Sequence, residues 1–333
     1  MTFSLIVCTY MRSKPLRLLL RSVKEQTLYP TEILIIDGSS NDDTMIMLER
    51  ENFKNLEYFK VSEENRGLTK QRNYGIEKVG SAIDIVCFLD DDVILTPNYF
   101  ETLLGTYKTY PDALGVGGFI TNEVQWEQLD KNRQITNKDF VYDGWVRKDG
   151  SRFVLRKKLG LDADVPPAHL PNFAHGRSVS FLPPSGKIYQ VEQLMGGVAS
   201  YPKKILESEK FSEYFEGYGL YEDADFTLRL SKKGKLYINT NARLEHHHEA
   251  SGRPNQFHYG KMVVRNGWYV WRVRHPNPSL KARLKWNATA FLLTLVRYSN
   301  VLTASNKNAA LTEAFGRTVG WFGLLFKKPK ISK

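Results

Sequence analysis

The stretch IDIVCFLDDD, residues 83–92, is a buried strand that runs straight into three carboxylates. Apart from Asp84 its first seven positions are apolar, and the run is continuous rather than alternating. Continuous apolar runs of strand length mark strands covered on both faces, as in a parallel sheet under helices. Asp90, Asp91 and Asp92 then stand side by side at the strand's carboxyl end. Neighbouring carboxylates repel one another, and holding them at a sheet edge is costly without a cation. Hard divalent ions such as Mg²⁺ or Mn²⁺ take oxygen ligands and bridge diphosphate oxygens. A plainer use of the same residues is a helix-capping acidic turn ahead of Pro97.

On the N-terminal side the same rhythm repeats. Ser4–Thr9 (SLIVCT) and Glu32–Ile36 (EILII) read as buried strands, and Leu56–Val61 as a third. Between them lie helical patterns at Pro15–Gln26, with Leu16, Leu19, Leu20 and Val23 on one face, and at Leu68–Lys78 after the turn Asn65-Arg66-Gly67. Asp37-Gly38-Ser39-Ser40 breaks the second strand and can cap a helix starting near Asp42. Strands alternating with helices predict an α/β fold with a mostly parallel central sheet and helices on both faces. Ligands bind outside the carboxyl ends of such strands, where Thr9, Asp37 and Asp90–Asp92 fall.

On the C-terminal side the rhythm is lost over residues 119–193. That stretch is polar, holds Pro166-Pro167 and Pro183-Pro184, and reads as an irregular insertion flanking the site, with Trp126, Trp145 and Arg156 among its aromatic and basic residues. Order returns at Gln193–Tyr201, in a helix near Glu222–Lys232 and in a short strand ending around His246–His248. Glu222-Asp223-Ala224-Asp225 opens that helix, where the dipole favours ionised carboxylates; the same acids could merely serve the helix end. On an extended segment His246 and His248 point one way and His247 the other, though a triple histidine also fits a surface run.

The whole chain has 333 residues, 42% hydrophobic and 25% charged, enough for a core without disulfide staples. Cys8 and Cys87 sit in apolar runs and read as small buried hydrophobes, in keeping with a reducing compartment. No secretory signal opens the sequence and no apolar run is long enough to span a membrane. The net charge of +11 is concentrated in residues 251–333, which carry 15 Lys/Arg against the single acid Glu313. That asymmetry points to an anionic partner. No recognised nucleic-acid motif accompanies it, so nucleic acid is not expected as the partner.

Taken in order, the motifs resemble family 2 glycosyltransferases of the GT-A fold. They are the strand ending Thr9-Tyr10, then Asp37-Gly-Ser-Ser-Asn-Asp-Asp-Thr44, Asn65-Arg-Gly67 with Arg72-Asn73, and Asp90-Asp-Asp92. After the insertion come Gly196-Gly197, Glu222-Asp-Ala-Asp225 with Arg229 and Gly234, and His246. The resemblance covers roughly residues 3–250 and implies a nucleotide-sugar donor, a UDP-sugar first and a dTDP- or GDP-sugar next, with Mg²⁺ or Mn²⁺. It implies that Thr9, Asp37 and Arg72 surround the base and ribose. Asp90 would face the ribose or the metal, Asp91 would stand with it on the donor, and Asp92 would bind the metal. His246, or His248 on the same face, would add a metal ligand. Gly196 and Gly197 would let the backbone approach the donor sugar. Asp223 would be the general base of a single inverting displacement by a hexosyl- or deoxyhexosyltransferase. The sequence departs from the pattern at Met11, where Asn is frequent, at Gly38, where an acid or Asn is common, and at Gln71, where Ala is usual. These positions cloud the identity of the nucleotide.

The expected organisation is a catalytic domain over 1–250, with a nucleotide-binding half 1–118 and an acceptor half 119–250, followed by a basic amphipathic tail over 251–333. In that tail Leu280, Leu284, Ala288, Phe291, Leu295 and Tyr298 recur at helical spacing beside Lys281, Arg283, Lys285 and Arg297. A second such stretch starts at Ala309 and ends in WFGLLFKKPK, residues 321–330. Such faces suit an anionic membrane surface, placing the chain peripherally on the cytoplasmic leaflet with a glycan or lipid-linked saccharide as acceptor. Two helices packed on the catalytic domain with solvated basic faces are the alternative. Functional rivals are a nucleotidyltransferase, which would carry a Gly-rich phosphate loop that Thr9-Tyr10-Met11-Arg12 lacks, and a non-catalytic nucleotide-sugar-binding or scaffold protein.

Overall fold

The computed structural model describes residues 1–215, 217–248 and 255–331. Two compact units form, one from residues 1–124 with 184–253, the other from 125–183 with 254–333. The first unit opens with β1 (Phe3–Thr9), α1 (Ser13–Lys24), β2 (Glu32–Asp37), α2 (Asp43–Glu51), β3 (Leu56–Lys60) and α3 (Leu68–Lys78). It continues with β4 (Ile85–Asp90), β5 (Val93–Leu95), α4 (Tyr99–Thr109) and β6 (Ala113–Ile120). The second unit begins with β7 (Glu127–Gln128), β8 (Asp139–Tyr142), β9 (Trp145–Lys148) and α5 (Ser151–Lys158). The first resumes with β10 (Ile188–Val191), β11 (Val198–Pro202), α6 (Lys203–Ser208), α7 (Glu222–Leu230) and β12 (Lys235–His246). The second closes with α8 (Gln256–Arg274), α9 (Leu280–Ser299) and α10 (Lys307–Phe326).

The sheet of the first unit runs β10-β12-β6-β11-β4-β1-β2-β3, with β5 added on β12. The strands from β3 to β4 are mutually parallel, as are β6 and β12; β11 lies antiparallel between β4 and β6. Strand alternation explains why helices cover both faces. Leu5 and Val7 of β1 join Leu16, Leu19, Leu20 and Val23 of α1 in one core. The intervening Ile6, with Ile36, points to the other face, where a Cβ on Gly75 of α3 would lie 3.0 and 3.1 Å from their side chains. The expected α/β sandwich is therefore present, and β12 is a twelve-residue strand where a short one was expected.

In the second unit, 125–183 is not the irregular insertion that was expected. It forms a three-stranded antiparallel sheet, β7-β9-β8, with α5 beside it in the chain. Buried Arg177 organises it: the guanidinium bonds Asp149 at 2.8 and 3.1 Å and Asp162 at 2.8 Å, and lies 4.1 Å from the centre of the Phe140 ring. The segment also packs with the C-terminal helices. Trp271 donates to the Asn172 carbonyl at 2.8 Å and stacks on Trp286 with centroids 5.4 Å apart. Spatially, 125–183 thus groups with 254–333, a division different from the expected boundaries at 118 and 250. Among the described residues no helix is long and apolar enough to cross a membrane.

Candidate active site

Backbone register assembles the site. Cys8 lies opposite Asp90 and Thr9 opposite Asp37, so Thr9, Asp37 and Asp90 end side by side on one edge of the parallel strands. Antiparallel β11 pairs Val198 with Leu89, which sets Gly197 beside Asp90, and the Asp90 N–H donates to the Gly197 carbonyl at 3.0 Å. β5 pairs with the end of β12, His246 opposite Val93, and the His247 N–H donates to the Asp92 carbonyl at 2.8 Å. That pairing brings His246 Nε2 to 3.1 Å from Asp92 Oδ1.

Asp90, Asp92 and His246 each offer a donor atom within 4.8 Å of the others. Burial works against charge on His246. The hydrogen bonds that the ring donates to Asp92 and Glu123 and the charges of Asp92 and Asp90 outweigh it and lift the ring to about 10. Its two N–H groups bridge Asp92 and Glu123, and binding a cation through Nε2 would release the Nε2 proton. Two carboxylates and one imidazole in this arrangement fit a divalent cation of the Mg²⁺ or Mn²⁺ kind, the nitrogen donor favouring Mn²⁺. His248 meets Glu123 instead: its Nε2 lies 3.0 Å from Glu123 Oε1, and Glu123, His246 and His248 form a second group that shares His246 with the first.

Asp223 sits in the first turn of α7, entered through Tyr221 at φ +73°. Asp223 Oδ1 accepts from the Ala224 N–H at 2.7 Å and Oδ2 from the Gly196 N–H at 3.2 Å. Burial raises its pKa; the two backbone donors and Arg72 pull it down, and Asp90 pushes it up. Consecutive glycines therefore tie the two acids together, Gly196 to Asp223 and Gly197 to Asp90. The space above Gly197 is already filled, because a Cβ there would lie 2.0 Å from Asp90 Oδ2. At Gly196 a Cβ would lie 2.7 Å from Arg72 Nη1 and still closer to Glu222. Close approach is what these glycines provide, to the protein's own charged groups rather than to open space.

Four residues expected to face the donor are engaged inside the protein. The Thr9 hydroxyl donates to Asp91 Oδ2 at 2.6 Å, and Asp91 Oδ1 accepts from Arg12 at 3.1 Å. Burial raises Asp91 to about 7 despite these bonds. Asp37 is fully buried; Oδ1 accepts from the Ser39 N–H at 2.8 Å and Oδ2 from the Tyr58 hydroxyl at 3.0 Å. Arg72 is buried as an ion pair with Glu222, lies 3.6 Å from Asp90 Oδ1 and packs over Phe211 and Phe88. Burial pushes Glu222 up to about 8 against the pull of Arg72.

Arg12, Glu123 and Glu222 escaped the sequence reading. Arg12 pairs with Asp91 and, at 3.4 Å, with Asp92. Its only signal was a lone cation after the first strand, and Glu123 lay in a stretch without period. Glu222 was read as helix-end chemistry, yet its Oε2 is buried with no hydrogen-bond partner among the described residues.

The model described as glycosyl transferase family 2 matches residues 4–169, about half of the chain. The chain belongs to this family. Among curated family relatives it is 33% identical over 125 residues to the glucosyl-dolichyl phosphate glucuronosyltransferase of Haloferax volcanii, covering 36% of this chain and 38% of that protein. It is 27% identical over 167 residues to the GalNAc(5)-diNAcBac-PP-undecaprenol beta-1,3-glucosyltransferase of Campylobacter jejuni, covering 48% and 52% respectively. It is 30% identical over 95 residues to the O-antigen chain rhamnosyltransferase RfbN of Salmonella typhimurium, covering 28% and 29%. The alignments thus span about half of these relatives' lengths or less. The α/β architecture of the first unit is the GT-A fold of family 2 glycosyltransferases. Asp223 and His246 lie beyond the matched range and join Asp90 and Asp92 through β11 and β12.

Proposed function

We propose that the chain is a divalent-metal-dependent inverting glycosyltransferase. It moves a hexosyl or deoxyhexosyl group from a nucleotide-sugar, a UDP-sugar before a dTDP- or GDP-sugar, to a hydroxyl of a glycan or lipid-linked saccharide in cell-surface polysaccharide synthesis. The observation that carries this reading is the pair of consecutive glycines that join Asp223 to the Asp90–Asp92–His246 cluster. A bound Mg²⁺ or Mn²⁺ would be held by Asp90, Asp92 and His246 and would supply Lewis-acid neutralisation of the departing nucleoside diphosphate. Asp223, its carboxylate aimed by two backbone N–H groups, takes the acceptor hydroxyl proton. The acceptor oxygen then bonds to the anomeric carbon as the bond to the diphosphate oxygen breaks, and the configuration inverts. Thr9, Asp37 and Asp91 hold the strand ends that form the floor under the donor, and Arg72 anchors Asp90.

A panel of UDP-, dTDP- and GDP-sugars with Mn²⁺ tests the reading. One nucleotide class is expected to yield nucleoside diphosphate, with release lost on adding EDTA and restored by Mn²⁺. Release of pyrophosphate would mark a nucleotidyltransferase instead. Donor binding without turnover, even with lipid-linked saccharides present, would mark a non-catalytic binding protein.

The names of the Haloferax and Campylobacter relatives contain dolichyl phosphate and undecaprenol carriers, and a lipid-linked acceptor for this chain would put it at an anionic membrane surface, on the cytoplasmic leaflet. The C-terminal helices support that placement. Leu280, Leu284, Phe291 and Leu295 are exposed on α9, and Leu311, Phe315, Phe322 and Phe326 are exposed at the same spacing on α10. Phe291 and Trp321 lie 6.0 Å apart, joining the two stripes, and exposed Lys281, Arg283, Lys327 and Lys328 flank them. Burying a Phe contributes about 1.5–3 kcal/mol, and each basic residue near an anionic surface about 1 kcal/mol. The double variant Phe322→Ser with Phe326→Ser is therefore expected to bind vesicles of 30% phosphatidylglycerol at least about 10-fold more weakly in flotation assays. Undiminished binding would move the docking face elsewhere.

A further inference from the structure

We propose that Glu123 is a positioning residue that fixes the tautomer and orientation of His246. The proposal rests on the reading of Asp90, Asp92 and His246 as a cation set, and it addresses a carboxylate outside that set. His246 Nδ1 lies 3.0 Å from Glu123 Oε1, while Nε2 lies 3.1 Å from Asp92 Oδ1. Glu123 holds the Nδ1 proton, so that the proton given up on cation binding is the one on Nε2, beside Asp92. Histidines that hold metals generally donate their other ring N–H to a carboxylate or carbonyl, and that donation sets both orientation and basicity.

The backbone around this contact is built to keep it. Glu123 follows β6, whose end runs beside β12, with Leu244 opposite Ile120. Thr121 N–H and hydroxyl both donate to the Leu244 carbonyl, at 2.9 and 3.1 Å. The Asn122 side chain closes a two-point clamp on the backbone of His246, donating Nδ2–H to its carbonyl at 3.0 Å and accepting its N–H at 2.9 Å. On the other side, the N–H of the following residue, His247, is pinned to the Asp92 carbonyl. His246 is thus fixed at its backbone from both neighbours, and Glu123 fixes the ring that the backbone leaves free to rotate.

The same contact separates the two histidines. His248 is half exposed, its ring 4.0 Å from that of His246, and its Nε2 meets the same Glu123 oxygen that His246 uses. His248 therefore steadies Glu123 and does not reach the Asp90–Asp92 pair, which leaves His246 as the ligand of the set.

The test uses the full chain with Mn²⁺ and UDP as probes, free Mn²⁺ being read by electron paramagnetic resonance. Glu123→Ala is expected to weaken Mn²⁺ binding about 10–100-fold. Glu123→Gln, which keeps an acceptor for Nδ1–H, is expected to recover most of that loss, and His248→Ala to stay within about threefold. In a His246→Ala background the Glu123→Ala change should add nothing, because the two act as one unit. Wild-type binding with an unaltered Glu123→Ala constant would overturn the positioning role alone. An undiminished loss in the His246→Ala background would make Glu123 a ligand in its own right and overturn it too. Two Mn²⁺ per chain, one of them lost in His248→Ala, would assign Glu123, His246 and His248 to a separate cation site and also overturn it. No Mn²⁺ binding by the wild type would defeat the cation reading, and the proposal with it.

Discussion

Asp223→Asn is expected to lower kcat by about 10²–10⁴-fold, the range for removing a general base, with donor affinity within about threefold of wild type. The change is isosteric and the site should stay assembled. Asn can still accept the short bond from the Ala224 N–H through its oxygen, and its amide nitrogen then faces the longer Gly196 contact at 3.2 Å. The ability to take a proton is lost, together with the longer of the two backbone hydrogen bonds. The pH profile provides an independent readout. Burial holds Asp223 above the ordinary carboxylate range, with Asp90 pushing the same way against two backbone donors and Arg72. A base must be ionised to act, so wild-type kcat should fall as pH drops through that raised pKa, at a higher pH than an ordinary aspartate would protonate. The residual activity of Asp223→Asn should lack this acid limb. Isothermal titration with donor and Mn²⁺, set beside kcat from pH 4 to 9, separates the outcomes. A parallel loss of binding and turnover would sink the base assignment, as would an acid limb that persists in the variant.

The parts of the molecule legible in the sequence are those whose signal is local. β1, β2 and β4 are read from unbroken apolar runs, and their carboxyl ends follow directly. The direction of a side chain at such an end is a different matter. Asp37 sits where a ligand-facing acid would sit, but the Ser39 N–H and the Tyr58 hydroxyl already occupy both its oxygens. Neither contact has a periodicity. β7, β8 and β9 are two to four residues long, too short to display alternation, so their sheet read as irregular. α8 escaped because buried Trp268, Tyr269, Val270 and Trp271 run consecutively and erase the amphipathic stripe. The departures at Met11 and Gln71 have structural readings. Met11 stands at φ +57°, a left-handed position that Asn tolerates more readily. Gln71 Nε2 donates to the carbonyls of Thr9 at 3.1 Å and Ile36 at 2.8 Å, stitching together the ends of β1 and β2. A residue that looked like a change in nucleotide specificity therefore holds the strand ends on which the site is built.

Arg72→Ala is expected to destabilise the fold by about 3–5 kcal/mol at pH 8.5, the usual cost of removing one member of a buried ion pair. Lowering of the melting temperature should be on the order of 10 °C. Glu222 has one oxygen on Arg72 and the other buried without a hydrogen bond among the described residues, so no alternative donor stands ready to compensate. The loss should shrink on acidification, and the sign follows from Glu222. Burial raises the folded carboxyl to about 8 even beside Arg72. Without the guanidinium the folded pKa must rise further. A carboxyl with a raised folded pKa carries its full stabilisation below the unfolded pKa and loses it as pH climbs toward the folded value. At pH 5 Glu222 is protonated in both folded proteins, and the variant forfeits the guanidinium's hydrogen bond to a neutral carboxyl, its contact with Asp90 and its packing over Phe211. At pH 8.5 the wild type keeps an ion pair, while the variant must either bury a lone charge or hold a proton that its unfolded chain has released. The double variant Arg72→Met with Glu222→Leu removes both charges and should recover much of the stability lost by Arg72→Met alone. Its Asp90 would nonetheless be unanchored, so Mn²⁺ binding should stay impaired while the fold is restored. Thermal melts at pH 5 and 8.5, with Mn²⁺ titration of the double variant, check both halves. A pH-independent deficit, or a double variant no more stable than the single, would mean that Arg72 acts through packing alone and that its charge is not what holds Glu222 and Asp90 in place.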